Sequence, residues 1–289
     1  MNGFFEILFS PDVPFIRNAL FAGILSSILF GILGSVVTVK RIAGLAGAIS
    51  HAVLGGIGIA LYLSATGIAP NLSPMVGAII FALLSALLIG AVSLKSKQRE
   101  DTVIQAIWAI GMSIGVLFMA KTPGYTDPSS YLFGNILLIS GRDLILLAIL
   151  DVIVLFLAWR FYPQIEATSF DEEFAAVRGI PTQTVFLIIL SVTAVAVVLL
   201  QTFVGIVMVI AMLTLPAGTA GYTARNLASM MLFSTLYSLL FSAGGLVVGW
   251  SLDLPVGAVV VVLSGLVFLG FATATVIRKK RSSRGPSSD

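Results

Sequence analysis

Along this chain, apolar residues gather into long runs of the length that crosses a bilayer, about 17–25 residues each. The runs are Phe15 to Val39, Ile42 to Ala65, Ser73 to Leu94, Thr102 to Ala120, Asp143 to Trp159, Thr182 to Leu200, Val204 to Tyr222, Leu227 to Trp250 and Pro255 to Ile277. Short clusters of charge, proline and glycine separate them. The pattern predicts an all-α polytopic membrane protein with about nine transmembrane helices, or eight or ten if one weak span is merged or split. The link Gln201 to Phe203 is the weakest break. Between Asp127 and Gly141, DPSSYLFGNILLISG is too short to cross and reads as a re-entrant or outer-surface helix.

Polar positions break this pattern in three places. Ile165 to Pro181, IEATSFDEEFAAVRGIP, reads as a short amphipathic helix outside the bilayer, with Ser169 as its cap and acids in its first turn. Phe170, Phe174 and Val177 share one face, and Gly179 with Pro181 ends it. His51 lies inside GLAGAISHAVLGGIG, about 15 Å into the second run at 1.5 Å per residue. Asp151 sits mid-run in LILLAILDVIVLFLAW. An ionisable group at such depth is a candidate functional residue.

Composition supports the class, with 58% hydrophobic residues, 10% charged and a mean hydropathy of +1.09; soluble domains carry roughly 25% charged residues. The absence of cysteine excludes disulfide frameworks, thiolate metal sites, iron–sulfur clusters and thiol catalysis. The net charge of +3 comes from bases flanking the spans and forms no patch for nucleic acid. Of the 16 lysines and arginines, 13 fall on one side of the span pattern, leaving Arg17, Lys121 and Arg142 opposite. The positive-inside rule therefore predicts an outer N-terminus and a cytoplasmic C-terminus.

The N-terminal segment has no basic n-region, so no cleavable signal is expected; Phe4 to Phe9 reads as an interfacial helix stopped by Pro11 and Pro14. Residues 1–281 are read as one transmembrane domain and 282–289 as a disordered cytoplasmic tail. GAISHAVLGGIG lacks the Gly-Lys-Ser/Thr of a P-loop, so ATP hydrolysis is not expected of this chain.

Several stretches, in order, carry a family resemblance: AGAISHAVLGG, Glu100-Asp101, Leu132-Phe133-Gly134 with Asp143, FDEEFAAVRGIP, VGIVMVIAMLTLPAGTA with Pro216, and LDLPVGAVVVVLSG with Pro255. Over nearly its whole length the chain resembles the integral-membrane permease subunits of ABC-type uptake systems for zinc, manganese and iron. The resemblance implies a dimer, either of two copies or with a related permease, around a central pathway. It also implies an extracytoplasmic metal-binding protein on the outer face, cytoplasmic ATP-binding subunits on the inner face, and placement in a bacterial cytoplasmic membrane. The coupling helix, about residues 169–179, would present Phe170, Asp171, Glu172, Glu173, Phe174, Ala176 and Gly179 to those subunits.

At one position the chain departs from the family pattern. An aspartate is expected one helical turn before the histidine, and Gly47 stands there; Gly55 likewise replaces a proline. His51 is thus the expected transit ligand of an incomplete site, to be completed by a second His51 across the dimer, by a second permease that keeps the aspartate, or by another side chain such as Asp151. Losing a carboxylate shifts the expected substrate toward Zn²⁺, with Mn²⁺ or iron next. The chain itself binds no cofactor on this reading. The rival reading is a secondary metal transporter or channel acting without an ATPase subunit, which would call for several intramembrane acids or bases.

Overall fold

The computed structural model describes residues 14–95, 100–124, 131, 132, 134 and 139–282. Among them every regular element is a helix: α1 (Pro14–Val39), α2 (Ala43–Ala65), α3 (Pro74–Lys95), α4 (Glu100–Lys121), α5 (Gly141–Arg160), α6 (Tyr162–Phe170), α7 (Glu172–Val177), α8 (Thr182–Val204), α9 (Ile206–Ala220), α10 (Leu227–Ser251) and α11 (Val256–Ser282). The all-α reading holds. The expected interfacial helix at Phe4 to Phe9, most of the Asp127 to Gly141 segment and the tail beyond Ser282 lie outside the described residues.

The span count is smaller than nine by strict length. Among the described residues, seven helices are long and apolar enough to cross alone, and α5 becomes an eighth when joined to α6 across a 74° bend. The ninth, α9, has 15 residues, about 22 Å of helix against a hydrocarbon core of about 30 Å. Its shortness has a local cause. The turn expected at Gln201 to Phe203 is helical; the chain instead breaks at the single residue Gly205, whose φ of 82° and ψ of 159° suit glycine. Gly134 packs so tightly on this break that a Cβ there would collide with the Gly205 nitrogen.

Among the described residues, two large hydrophobic clusters and a small third one at Ala217, Ala220 and Met230 make up the interior. One large cluster joins α1, α5, α9, α10 and α11 through residues such as Leu29, Phe30, Leu147, Met212 and Phe241; the other joins α2, α3 and α4 through Ile49, Val53, Leu54, Ala82 and Ile89. Helix α8 serves both. Its Phe186, Leu190, Ala194 and Val198, spaced by four, face the second cluster, while Ile189, Val197 and Leu200 face the first.

Helix α2 is held by backbone contact. A Cβ on Gly55 would lie 2.8 Å from the carbonyl oxygen of Gly111, and one on Gly58 would lie 2.5 Å from that of Gly115, both on α4. On the other side Gly56 meets Gly77 of α3 in the same way. Apolar side chains gain nothing by leaving lipid for one another, so close approach through glycine supplies the packing. Several buried hydroxyls in the spans bond back to their own helix, among them Ser27 to Gly23 O, Ser35 to Gly31 O and Ser50 to Ala46 O, while those of Ser234, Ser238 and Ser242 on α10 have no partner.

Because the α2–α4 contact is backbone to backbone, Gly58→Ala is expected to destabilise the protein by about 1–3 kcal/mol. Gly270→Ala, where an added Cβ meets nothing, serves as the control and is expected to be neutral or slightly stabilising. Thermal midpoints in one detergent check both.

Candidate functional site

The first candidate site grows from α2 and α4, which run in parallel. The small residues of α2 bring its backbone against α4, and the same approach sets the His51 ring on the indole of Trp108. The two rings stack with centroids 4.6 Å apart and planes 20° apart. His51 is half-buried, and its Nδ1 is buried without a hydrogen-bond partner. One turn earlier, Gly47 faces open space, since a Cβ there would meet nothing within 4 Å.

Beside this pair, α4 lines an open groove of about 650 Å³ with Gln105, Trp108, Met112 and Ser113 among its walls. Its face includes the exposed Trp108, Val116 and Leu117. The exposed side of α11, by contrast, is carried by Val262, Leu266, Leu269, Val276 and Ile277. The large exposed side chains of α11 up to Ile277 are apolar, with Thr273 a small polar exception, whereas α4 adds Gln105 and Ser113 to its groove.

Asp151 lies elsewhere. It is buried on the same face of α5 as Leu147, Leu150 and Val154, which belong to the α1-centred cluster, and neither of its carboxylate oxygens has a hydrogen-bond partner. His51 and Asp151 thus sit in different helix groups of one copy. No group of three or more His, Cys, Asp or Glu side chains that could hold a metal ion occurs among the described residues.

The second candidate site is the segment after α5. The single amphipathic helix expected over Ile165 to Pro181 is instead the end of one helix and a second short one, which meet at Asp171, where the backbone is extended at φ −148° and ψ 98°. Asp171, not Ser169, is the cap: its Oδ1 accepts from the Phe174 N–H at 2.8 Å, whereas the Ser169 hydroxyl is buried and unpartnered at the end of α6. An ionised side chain beside the free amides of a helix start is the better cap electrostatically. At the other end Gly179, with φ 81°, lets its own N–H reach Ala176 O and the Ile180 N–H reach Ala175 O, a Schellman closure.

The result is a small knob. Ala175 is its buried foot, while Phe170, Phe174 and Val177 are 64%, 54% and 88% exposed with Glu172, Glu173 and Ala176 around them. All seven residues expected to form a docking surface are therefore on one projecting segment. Arg178 lies over the Phe174 ring at 5.1 Å.

Two side chains tie this segment to the bundle, and the sequence reading gave neither that role. Lys40, in the link between α1 and α2, donates from Nζ to Thr168 O at 2.7 Å. Burial holds its ammonium below the usual lysine range, and the Glu172 carboxylate offsets part of that. Tyr162 donates to Glu166 Oε1 at 2.8 Å and accepts from Ala228 N–H at 3.1 Å, linking α6 to the start of α10. Lys40, Ser169, Phe170, Glu172, Glu173 and Gln183 border a cleft of about 540 Å³ between the knob and the span ends. Lys40 could have been singled out from its place between two spans; Trp108 and Gln105 had no signal beyond being polar-edged residues in an apolar run.

Comparison with known proteins places the chain among membrane transport components. Residues 12–275 match the ABC 3 transport family. A probable metal transport system membrane protein of Chlamydia muridarum is 36% identical over 283 residues, covering 98% of this chain and 95% of the relative. The manganese import system permease protein ScaB of Streptococcus parasanguinis is 32% identical over 269 residues, covering 92% and 93%. Among solved structures, PsaBC from Streptococcus pneumoniae in complex with Fab superposes with a TM-score of 0.78 at 30% identity, covering 89% of this chain and 90% of that one.

The Lys40 contact is a charge-assisted hydrogen bond of about 1.5 kcal/mol. Lys40→Met is expected to speed amide hydrogen exchange between Phe170 and Ile180 by about tenfold, leaving α9 and α10 at their original rates. Unchanged exchange in the knob would show that Lys40 does not hold it.

Proposed function

Since this chain belongs to the ABC 3 transport family, we propose that it is the permease of an ATP-driven importer of a divalent transition metal. The observation that carries the reading is the knob at Phe170 to Gly179: a preformed apolar and acidic projection, fixed to the spans by Lys40 and Tyr162. Such a projection suits a docking element that passes motion from a partner into the bundle. The ATPase activity belongs to that partner.

In this reading the excess of bases puts α6–α7 and the C-terminus in the cytoplasm of a bacterial cell and the N-terminus outside. A metal-binding protein delivers the ion at the outer face. Two copies, or this chain and a related permease, meet across the open α2–α4 face, so that two half-sites line one pathway. That arrangement would give His51 the further ligands that a single copy does not supply.

Two considerations bear on the metal. A lone imidazole favours Zn²⁺, whereas relatives covering nearly the whole chain are named for manganese. We place manganese first and zinc second. Charged groups within the spans are few, which supports a pump driven from outside the bundle over a transporter with its own coupling ions.

Uptake of Mn²⁺ and Zn²⁺ into vesicles holding this chain with its ATP-binding subunits tests the reading. ATP-dependent accumulation is expected, falling by about tenfold or more in His51→Ala. Replacing Glu172 and Glu173 together with lysine should release the ATP-binding subunits or separate hydrolysis from uptake. Accumulation that persists without those subunits and follows a proton gradient would replace the pump with a secondary transporter.

A further inference from the structure

Resting on the importer reading, we propose that Gln105 is a second ligand for the transiting divalent cation, its amide oxygen meeting the ion at the opening left by Gly47. The register of the two parallel helices carries the argument. His51 lies against Trp108, Gly55 against Gly111 and Gly58 against Gly115. Continued one turn back, this register sets Gly47 level with Ile104 and Gln105. Ile104 is buried, so it is Gln105 that lines the groove there.

The space and the chemistry agree. Gly47 leaves the α2 side of that level empty, and an ion there would lie one turn from the His51 ring. A primary amide on the open face of a span is costly against hydrocarbon, which marks the Gln105 side of α4 as facing water or protein. No cluster of three or more His, Cys, Asp or Glu side chains that could hold a metal occurs among the described residues, so the Gln105 amide oxygen is a donor beyond the imidazole that His51 offers. An amide oxygen is a hard ligand suited to Mn²⁺, and being uncharged it binds weakly enough to let the ion leave. Trp108, stacked on the flat side of His51, confines the approach to the ring edge.

The test is uptake of Mn²⁺ and Zn²⁺ by liposomes containing the complex of this chain with its ATP-binding subunits, comparing wild type with Gln105→Leu and Gln105→Glu. Gln105→Leu keeps the size but removes the oxygen, and is expected to lower Mn²⁺ uptake at subsaturating metal by about tenfold while moving the Mn²⁺/Zn²⁺ ratio toward zinc. Gln105→Glu restores an oxygen and adds charge, and is expected to move the ratio several-fold toward manganese. A purely structural residue would alter the rates of both metals together. An unmoved ratio in Gln105→Glu, or wild-type rate and ratio in Gln105→Leu, overturns the assignment. These outcomes leave the importer reading standing if wild type accumulates metal with ATP; absence of any wild-type uptake sinks that reading and this assignment with it.

Discussion

The contact on which the rest depends is the one between bare backbones. In hydrocarbon, helices are not pressed together by the exclusion of water, and what holds them is how closely their surfaces can meet. Helix α2 solves this by presenting Gly55 and Gly58 to α4 and Gly56 to α3, with Gly111, Gly115 and Gly77 answering from the other side. The distances leave no room for a side chain at any of these points. A helix so held cannot rotate about its own axis without breaking several contacts at once. That fixes the direction in which His51 points and brings it face to face with Trp108.

The same rule gives α8 its place. A helix that must join two packed groups has to be apolar on two faces, and α8 carries small or branched residues on both, with Ala194 and Val198 on one and Ala196 and Val197 on the other. It begins directly after the knob and ends at the Gly205 break. A displacement at its start therefore reaches both the His51-bearing group and the group around α1. Lys40 gives the first of these a shorter route, because Thr168 lies only a few residues from the knob and Lys40 only a few from the beginning of α2.

Much of this was legible in the residues. The long apolar runs located the helices to within a few positions, since a bilayer allows few alternatives to a helix of that length. The exposed apolar face of Phe170, Phe174 and Val177 and the glycine end at Gly179 were likewise visible. What the pattern missed were choices between near equals. Ser169 and Asp171 are both acceptable caps, and it is the extended backbone at Asp171 that decides where the helix restarts. The chain turns at Gly205 instead of at Gln201 to Phe203, and the tight packing of Gly134 on that break is a contact between residues far apart in sequence. The position of Trp108 against His51, and of Gln105 in the neighbouring groove, depends on the α2–α4 register, which no local pattern records, and the separation of Asp151 from His51 depends on which helices become neighbours.

The closed ends of the knob carry a consequence for assembly. Asp171 satisfies one of its first amides and the Gly179 turn two of its last carbonyls, so on the docking role proposed above the segment has its shape before any subunit meets it. A partner that binds a finished shape spends none of its affinity on ordering that shape. If the knob docks ATP-binding subunits as proposed, exchange of one for another is governed by the side chains on its rim, and the segment stays ready to receive a new engine as soon as the old one has left.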